Sequence, residues 1–498
     1  MSQVRLICVL FTRDLRLPDQ TILNDAWDEL QTIQKTTNDT CYIMPLFIFT
    51  PEQIHSTNRY RSTHAIQFMV ESLLDLSNTV KKELDSEISF FYGTWTTVFE
   101  ELRTVIQQVP KKTNESISIQ SLYITKDYTP YARQRERTIQ QWCQSNSISF
   151  HCKEDYMLTG VSQIMTTQKE KPYEKFTPYM RKAKKLDVPQ PHTPPWTKND
   201  FVSISWLSSL PWTCHVTKKW MKQLYPKSQT LLHPGGRSHA LSRIQKVLLE
   251  KKQIYDNYNQ FRDCLTYQTT QLSAYLKFGC LSIREVYHSI RHQLGSSNEL
   301  IDQLYWRDFY FQVAYHYPHV FGGPMKEKYK TLRWISRPKE WFTRWKNGTT
   351  GIPIVDAGMR QLNKTGYMHN RARLIVSNFL VKIMGMDWRG GEQYFAQRLY
   401  DYDPSVNNGN WQWSSGTGAD SQPYFRVFNP WRQMERFDPD AKYIKQWIPE
   451  LRSLSSQVIR QWNSSSPSKY DIDYPAPLIE EDNYPSYKEE ILERFRQQ

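Results

Sequence analysis

Residues 4–19 read VRLICVLFTRDLRLPD. The first eight form a near-continuous apolar run, which predicts a strand buried on both faces. Such a strand belongs to a parallel sheet with helices on either side. The residues after it are charged; FTRDLRLPD stands where a dinucleotide-binding domain would carry Gly-x-Gly-x-x-Gly. Working outward, the same strand signature recurs in CYIMPLFIF (41–49), ISFFYG (88–93), SLYIT (121–125) and SISFHCK (147–153). Between the second and third runs, Ile66, Met69, Leu73, Leu76 and Val80 mark the apolar stripe of a helix. Residues 1–155 are therefore expected to be a Rossmann-like parallel α/β domain.

Residues 156–225 change character. KEKPYEKFTPYMRKAKKLDVPQPHTPPW is rich in Pro, Lys and Tyr and predicts a long connector running over a surface. From 226 to 498 helical periodicity dominates, as in SIREVYHSIRHQL, QLYWRDFYFQVAYHY and ARLIVSNFLVKIMG, so this half is expected to be all-α. A chain of 498 residues suits two or three domains. Its net charge of +14 permits binding to a polyanion by neutralising phosphates, and 17 Trp and 30 Tyr add surfaces that stack on flat rings. The seven cysteines are scattered with no Cys-x-x-Cys, which argues against a disulfide framework or a zinc site. The N-terminal apolar run is too short for a secretory signal and no stretch reaches membrane-span length. An intracellular protein, in cytoplasm or nucleus, is expected, and the sequon at Asn114 carries little weight.

Four stretches of the helical half carry unusual chemistry. TTQLSAYLKFGCLS (269–282) places hydroxyls before a helix-forming run, which suits a phosphate or a plain N-cap. QLYWRDFY (303–310) joins Trp306 to Arg307, and GYMHNRARLIVSNFL (366–380) projects Asn370, Arg371 and Arg373 from the start of a helix. YDYDPSVNNGNWQW sets Asp401 and Asp403 ahead of Trp411 and Trp413. That spacing alone fits one face of a core strand, but Asn-Asn-Gly-Asn is poor strand sequence, and Gly409 suggests a turn or a close approach. Each stretch also has a plain reading: Arg373 with Asp401 as an ion pair, His369 as a satisfied histidine, Trp306 as core. Acid, amide, aromatic and guanidinium recurring in one apolar domain suit a large planar, phosphate-bearing cofactor beside a second aromatic ligand. They offer neither a nucleophile motif nor a metal-ligand cluster.

These stretches, with FTRDLRLPD, GIPIVDAGMRQLNKTGYMHNRARL and GTGADSQPYFRVFNPWRQMERFDPDAKYIKQWIPEL, resemble the photolyase/cryptochrome family over essentially the whole chain. The nearest resemblance is to class I cyclobutane pyrimidine dimer photolyases, which are carbon–carbon lyases. It implies an α/β antenna domain, a linker and a helical FAD-binding domain. The bound flavin would be contacted by Tyr258, Thr269, Thr270, Leu272, Ser273, Arg307, Arg373, Asp401, Asp403 and Asn407, with Asn407 facing its N5. Trp411, Trp388 and Trp334 would relay electrons inward. Trp306 and Trp413 would stack on a dimer flipped out of UV-damaged DNA, with Asn370 and Gln303 at the base edge. Arg371, Arg426 and Arg436 would lie near the DNA backbone. The resemblance implies a monomer in which light drives an electron from reduced FAD to the dimer and so splits it. It also implies that the helical half alone can bind FAD, since every flavin-matching residue lies beyond 226.

Departures from the pattern define the rivals. Gln303 stands where class I enzymes usually carry Glu, and is typical of (6-4) photolyases and animal cryptochromes. Leu374 replaces the usual Met. Against a (6-4) assignment, His369-Asn370 stands where those enzymes have paired histidines. Against a cryptochrome photoreceptor, Asn407 occupies the position of Asp or Cys in plant and insect members. DYTPYARQR (127–135) lacks the Asn-Glu pair that holds methenyltetrahydrofolate in one subgroup, which leaves a deazaflavin, a second flavin or an empty site; the identity of a second antenna chromophore (deazaflavin, folate or flavin) stays open. A light-independent nucleic-acid-binding protein would explain charge and aromatics but not the flavin-facing set.

Overall fold

The structure, a computed structural model, describes residues 3–108, 116–166, 171–227, 229–250 and 252–498; Asn114 lies outside them. The N-terminal part alternates β1 (Gln3–Phe11), α1 (Thr21–Thr36), β2 (Thr40–Phe49), α2 (Thr63–Leu84), β3 (Ser89–Tyr92), α3 (Trp95–Gln108), β4 (Ser116–Thr125), α4 (Pro130–Ser145) and β5 (Ser149–Lys153). The five strands pair in the order β3-β2-β1-β4-β5, all parallel. The period of two along β1 explains its unbroken apolarity. Ile7, Val9 and Phe11 pack with buried residues of α1 and α2, while Leu6, Cys8 and Leu10 pack with those of α3 and α4. β4 starts before the SLYIT run because Ser116–Ile119 also pairs with β1, with Gln120 left over where the register shifts.

The order of the sheet reverses between β1 and β4, and the crevice at their carboxyl ends is where open α/β sheets take ligands. Here the charged stretch after β1 enters that crevice. Asp14 accepts from Thr125 Oγ1 at 2.5 Å, Gln20 Nε2 at 2.6 Å and the Thr12 amide at 2.8 Å. Arg16 donates to Asp155 at 2.7 Å. Arg284, from the helical half, reaches Asp19 and Asp155 at 2.9 Å each. The run that replaces a glycine-rich turn is thus a docking surface for the second domain.

The connector is anchored rather than merely draped. Its helix α5 (Phe176–Ala183) buries Phe176 and Tyr179, Phe201 bridges to Ile43, and residues 214–216 bond the edge of β3 in antiparallel fashion. The helical half includes α6 (Ser273–Lys277), α7 (Glu299–His316), α8 (Pro353–Thr365), α9 (Asn370–Asn378), α10 (Trp388–Arg398), α11 (Pro404–Ser415), α12 (Pro430–Phe437) and α13 (Tyr484–Arg496). The architecture is an α/β domain with a helical C-terminal domain, and their cores meet at α2. Phe68 packs on Tyr275 at 5.2 Å, Phe278 at 5.4 Å and Tyr400 at 5.5 Å.

The Trp-x-Trp stretch is neither strand nor turn but the helix α11. Asp403 is its N-cap, Pro404 opens it, and Gly416 at φ +87° ends it. Gly409 is explained by close approach, since a Cβ there would lie 2.1 Å from the Tyr310 ring of α7. Two residues along a helix turn the side chain by about 200°, so Trp411 and Trp413 leave α11 on different faces. Trp411 is buried, and Trp413 is half-buried.

Candidate functional site

Asp401 is the hub of the site. Its Oδ2 accepts from Ser273 Oγ at 2.7 Å and from Arg373 Nη2 at 2.8 Å, while its Oδ1 is buried without a hydrogen-bond partner among the described residues. A buried carboxylate oxygen without a partner costs free energy unless a ligand meets it. Arg373 also donates to the Met368 carbonyl at 2.9 Å and lies over the Tyr367 ring, whose hydroxyl is 3.2 Å from Thr269 Oγ1. The ion pair and the hydroxyl segment therefore form one cluster joining α6, α9 and the turn before α11.

The hydroxyl segment does not cap α6. Leu272 occupies the cap position with no side-chain bond, and Gln271 before it is held at φ +54°. Arg243, which the motifs did not single out, donates to the carbonyls of Thr270 at 2.8 Å and Thr269 at 2.9 Å. In the sequence it is one basic residue in an ordinary helical run. Thr270 and Tyr258 are half-buried, and burial pushes the Tyr258 phenol up to about 12. Arg307 donates to the Tyr156 carbonyl at the start of the connector, pairs with Asp308 at 3.7 Å and lies over the Phe311 ring. Asp403 caps α11 through Oδ1 and meets Arg13 through Oδ2 at 2.9 Å.

On α11, Asn407 donates from Nδ2 to the Glu392 carbonyl at 3.1 Å. Asn408 and Gln412, one turn apart, donate to the Val320 carbonyl at 2.9 and 3.1 Å, which anchors the back of the helix. Trp411 packs edge-on against Phe395 at 4.9 Å and Trp345 at 6.2 Å. A Cβ on Gly391 of α10 would lie 2.2 Å from its ring. Trp411 and Trp388 are only 2% and 1% exposed, whereas Trp334 is half-buried and edge-on to Phe495 of α13 at 6.0 Å. The buried Trp345, not distinguished by any motif, is the indole that pairs with Trp411.

Trp306 of α7 is half-buried, with one face stacked on Phe176 of α5 at 3.7 Å. Gln303 stands one turn earlier and is also half-buried. Asn370, the first residue of α9, is exposed, and Leu374 is half-buried one turn on. His369 caps α9 by accepting from the Arg371 amide at 3.1 Å; burial lowers its pKa to about 4, so it stands neutral. Arg371 is paired with Asp263 at 2.5 Å and lies over Phe437, whose ring Arg436 also covers. Arg426 and Arg436 are exposed, and Phe425, beside Arg426, is 61% exposed. Among the described residues no helix is long and apolar enough to cross a membrane.

Two family models match this sequence: that for DNA photolyase over residues 7–195, and that for the FAD binding domain of DNA photolyase over residues 300–497. The deoxyribodipyrimidine photo-lyase of Buchnera aphidicola subsp. Acyrthosiphon pisum is 32% identical, covering 98% of this chain and 96% of its own. That of Alkalihalophilus pseudofirmus is 32% identical over 95% of this chain and 94% of its own. Among solved structures, an archaeal photolyase from Sulfolobus tokodaii, which holds two FAD molecules, superposes with a TM-score of 0.80 at 33% identity, covering 99% of this chain and 100% of its own. A Synechocystis cryptochrome shares the fold at a TM-score of 0.79 and 24% identity, over 99% of this chain and 100% of its own.

Proposed function

The chain belongs to the photolyase/cryptochrome family, and from that premise we propose that it is a deoxyribodipyrimidine photo-lyase, which uses light to split cyclobutane pyrimidine dimers in UV-damaged DNA. The observation that carries the reading at the site is Asp401, whose unpartnered Oδ1 lies in a cluster of hydroxyls, aromatics and Arg373. That donor set fits FAD, which would be held by Tyr258, Thr269, Thr270, Leu272, Ser273, Arg307, Arg373, Asp401, Asp403 and Asn407. When bound, FAD supplies light absorption and the electron that opens the cyclobutane ring. The protein's own residues bind and orient. Asp401 and Arg373 fix the charge beside the site, and Asn407 presents an amide held by the Glu392 carbonyl. Trp334, Trp388 and Trp411 run from half-buried to buried, as an inward electron route requires.

Trp306 and Trp413 keep partly exposed rings for the extruded bases, where stacking contributes roughly 1–3 kcal/mol per base. Asn370 and Gln303 are assigned the base edge. Of the three arginines assigned to DNA phosphates, Arg426 and Arg436 are the exposed ones, while Arg371 is already paired. We assign residues 1–155, 156–225 and 226–498 to the antenna domain, linker and catalytic domain, supported by the end of the sheet at Lys153. A monomer in cytoplasm or nucleus, with a second chromophore beside FAD, completes the reading. The two FAD molecules of the Sulfolobus tokodaii relative favour a flavin in that second role.

A second reading, (6-4) photolyase, rests on Gln303 alone. An amide keeps a donor and an acceptor for the base edge but has no carboxyl proton, and Asn370 cannot do the acid–base work of a second histidine. Anaerobic illumination of the FAD-reduced protein with defined oligonucleotides decides between them. Repair of the cyclobutane dimer and not of the (6-4) product is expected; the reverse pattern would overturn the assignment.

A further inference from the structure

Arg13 belongs to the α/β domain, in the stretch that follows β1, yet it reaches the helical site. Its side chain is buried, 6% exposed, with its guanidinium 4.4 Å from the Tyr156 ring centroid and 5.1 Å from that of Phe311. Nη1 lies 2.9 Å from Asp403 Oδ2 and 3.5 Å from Asp127 Oδ2, while Nε and Nη2 have no hydrogen-bond partner among the described residues. A buried arginine with unmet donors is a poor device for stability, because desolvation of the ion offsets much of its Coulombic gain. Its position is better explained by what Asp403 does. Asp403 Oδ1 accepts the amides of Ser405 at 3.0 Å and Val406 at 3.2 Å, and its carbonyl accepts the Asn407 amide at 2.8 Å. One carboxylate thus caps α11 with one oxygen and binds the other domain with the second. α11 is twelve residues long and carries Asn407, Trp411 and Trp413.

Neighbouring cations do not substitute for Arg13. Arg307 is engaged with the Tyr156 and Leu276 carbonyls and with Asp308. Lys277 feels the same carboxylates, Asp403 and Asp127, but among the described residues it makes no ion pair with either, whereas Arg13 reaches both. We propose that Arg13 is a positioning residue for the light reaction: by holding Asp403 it fixes the first turn of α11, and so sets Asn407, Trp411 and Trp413 in register with the cofactor site. The inference rests on the function proposed above. It gives the α/β domain a part in the chemistry that needs no chromophore of its own.

The test uses the full chain loaded with FAD, comparing wild type, R13Q, R13K and D127N. Bound flavin, its midpoint potential, its photoreduction rate under blue light and Tm are measured for each. Misplacing a reactive group by about an ångström costs up to a hundredfold, so R13Q is expected to retain FAD, shift its potential and photoreduce roughly tenfold more slowly. R13K, which keeps the charge but not the reach, should fall between R13Q and wild type. D127N removes the other anion while leaving Arg13 on Asp403, so it should lower Tm and leave potential and photoreduction unchanged. R13Q with wild-type potential and photoreduction, whatever its Tm, overturns the proposal; so does D127N reproducing the changes of R13Q. Should R13Q not be recovered with flavin, the order decides: R13K must slow photoreduction more than D127N, and the opposite order rejects the idea. Flavin content and dimer repair of the wild type test the underlying function separately.

Discussion

Glu392 of α10 is 3% exposed, and among the described residues its Oε1 accepts only from Asn408 Nδ2, at 3.2 Å. Burial, with a smaller contribution from Asp387, raises its carboxyl to about 7. Between the ordinary glutamate value and about 7 the folded state holds a proton that the unfolded state has lost, so stability falls as pH rises through that window and levels off above it. Glu392→Gln keeps the shape and removes the titration. Its unfolding free energy should therefore decline less between pH 5 and pH 7 than that of the wild type, by an amount on the order of 1–3 kcal/mol. Parallel curves for the two proteins in denaturant titrations would refute the assignment. Burial moves His369 the opposite way, to about 4, so its contribution rises with pH and the comparison must be made against the wild type. Asn407 was legible in the sequence because unusual residues surround it. Glu392 was not: GEQYF reads as any helix, and its altered acidity arises only from what packs over it.

At the scale of elements, α11 is where local preference and packing disagree. Asn-Asn-Gly-Asn lowers helix propensity, glycine alone by about 1 kcal/mol relative to alanine. The helix forms because both ends are held and both flanks fit. Asp403 caps its start, Lys326 Nζ donates to the Gly416 carbonyl at 3.2 Å just past its end, Tyr310 of α7 lies against Gly409, and Gly391 of α10 lies against Trp411. Gly409→Ala would raise propensity and still be unfavourable. The Tyr310 ring must move, and overpacking of this kind costs about 1–3 kcal/mol. A lower Tm and reduced flavin retention are expected from thermal melts and absorbance at the flavin band. An alanine variant as stable as the wild type would remove close approach as the reason for the glycine. The strands show the contrary case: β1 and β2 were readable because propensity, pattern and burial agree along their whole length.

For the whole molecule, the two halves are less separable than their compositions suggest. Every flavin-matching residue lies beyond 226, from which the helical half is expected to bind FAD alone. In the structure Phe68 of α2 fills the space between Tyr275, Phe278 and Tyr400, and Arg13, Asp19 and Asp155 meet Asp403 and Arg284 across the boundary. A fragment of residues 226–498 would expose that aromatic face and leave Asp403 without its cation. We therefore expect the fragment to aggregate, or to bind FAD far more weakly than the full chain, by size-exclusion chromatography and flavin titration. Full-chain affinity in a monomeric fragment would contradict this. What the sequence by itself determined is whatever depends on residues near one another in the chain: the strand and helix periods, the charged run in place of a glycine turn, and motifs long enough to betray the family. Only the tertiary structure decided what that charged run does, why Trp411 and Trp413 diverge, which carboxyl holds a proton and why α11 is a helix. Each of these depends on groups far apart in sequence, where close packing and removal from water set the energies.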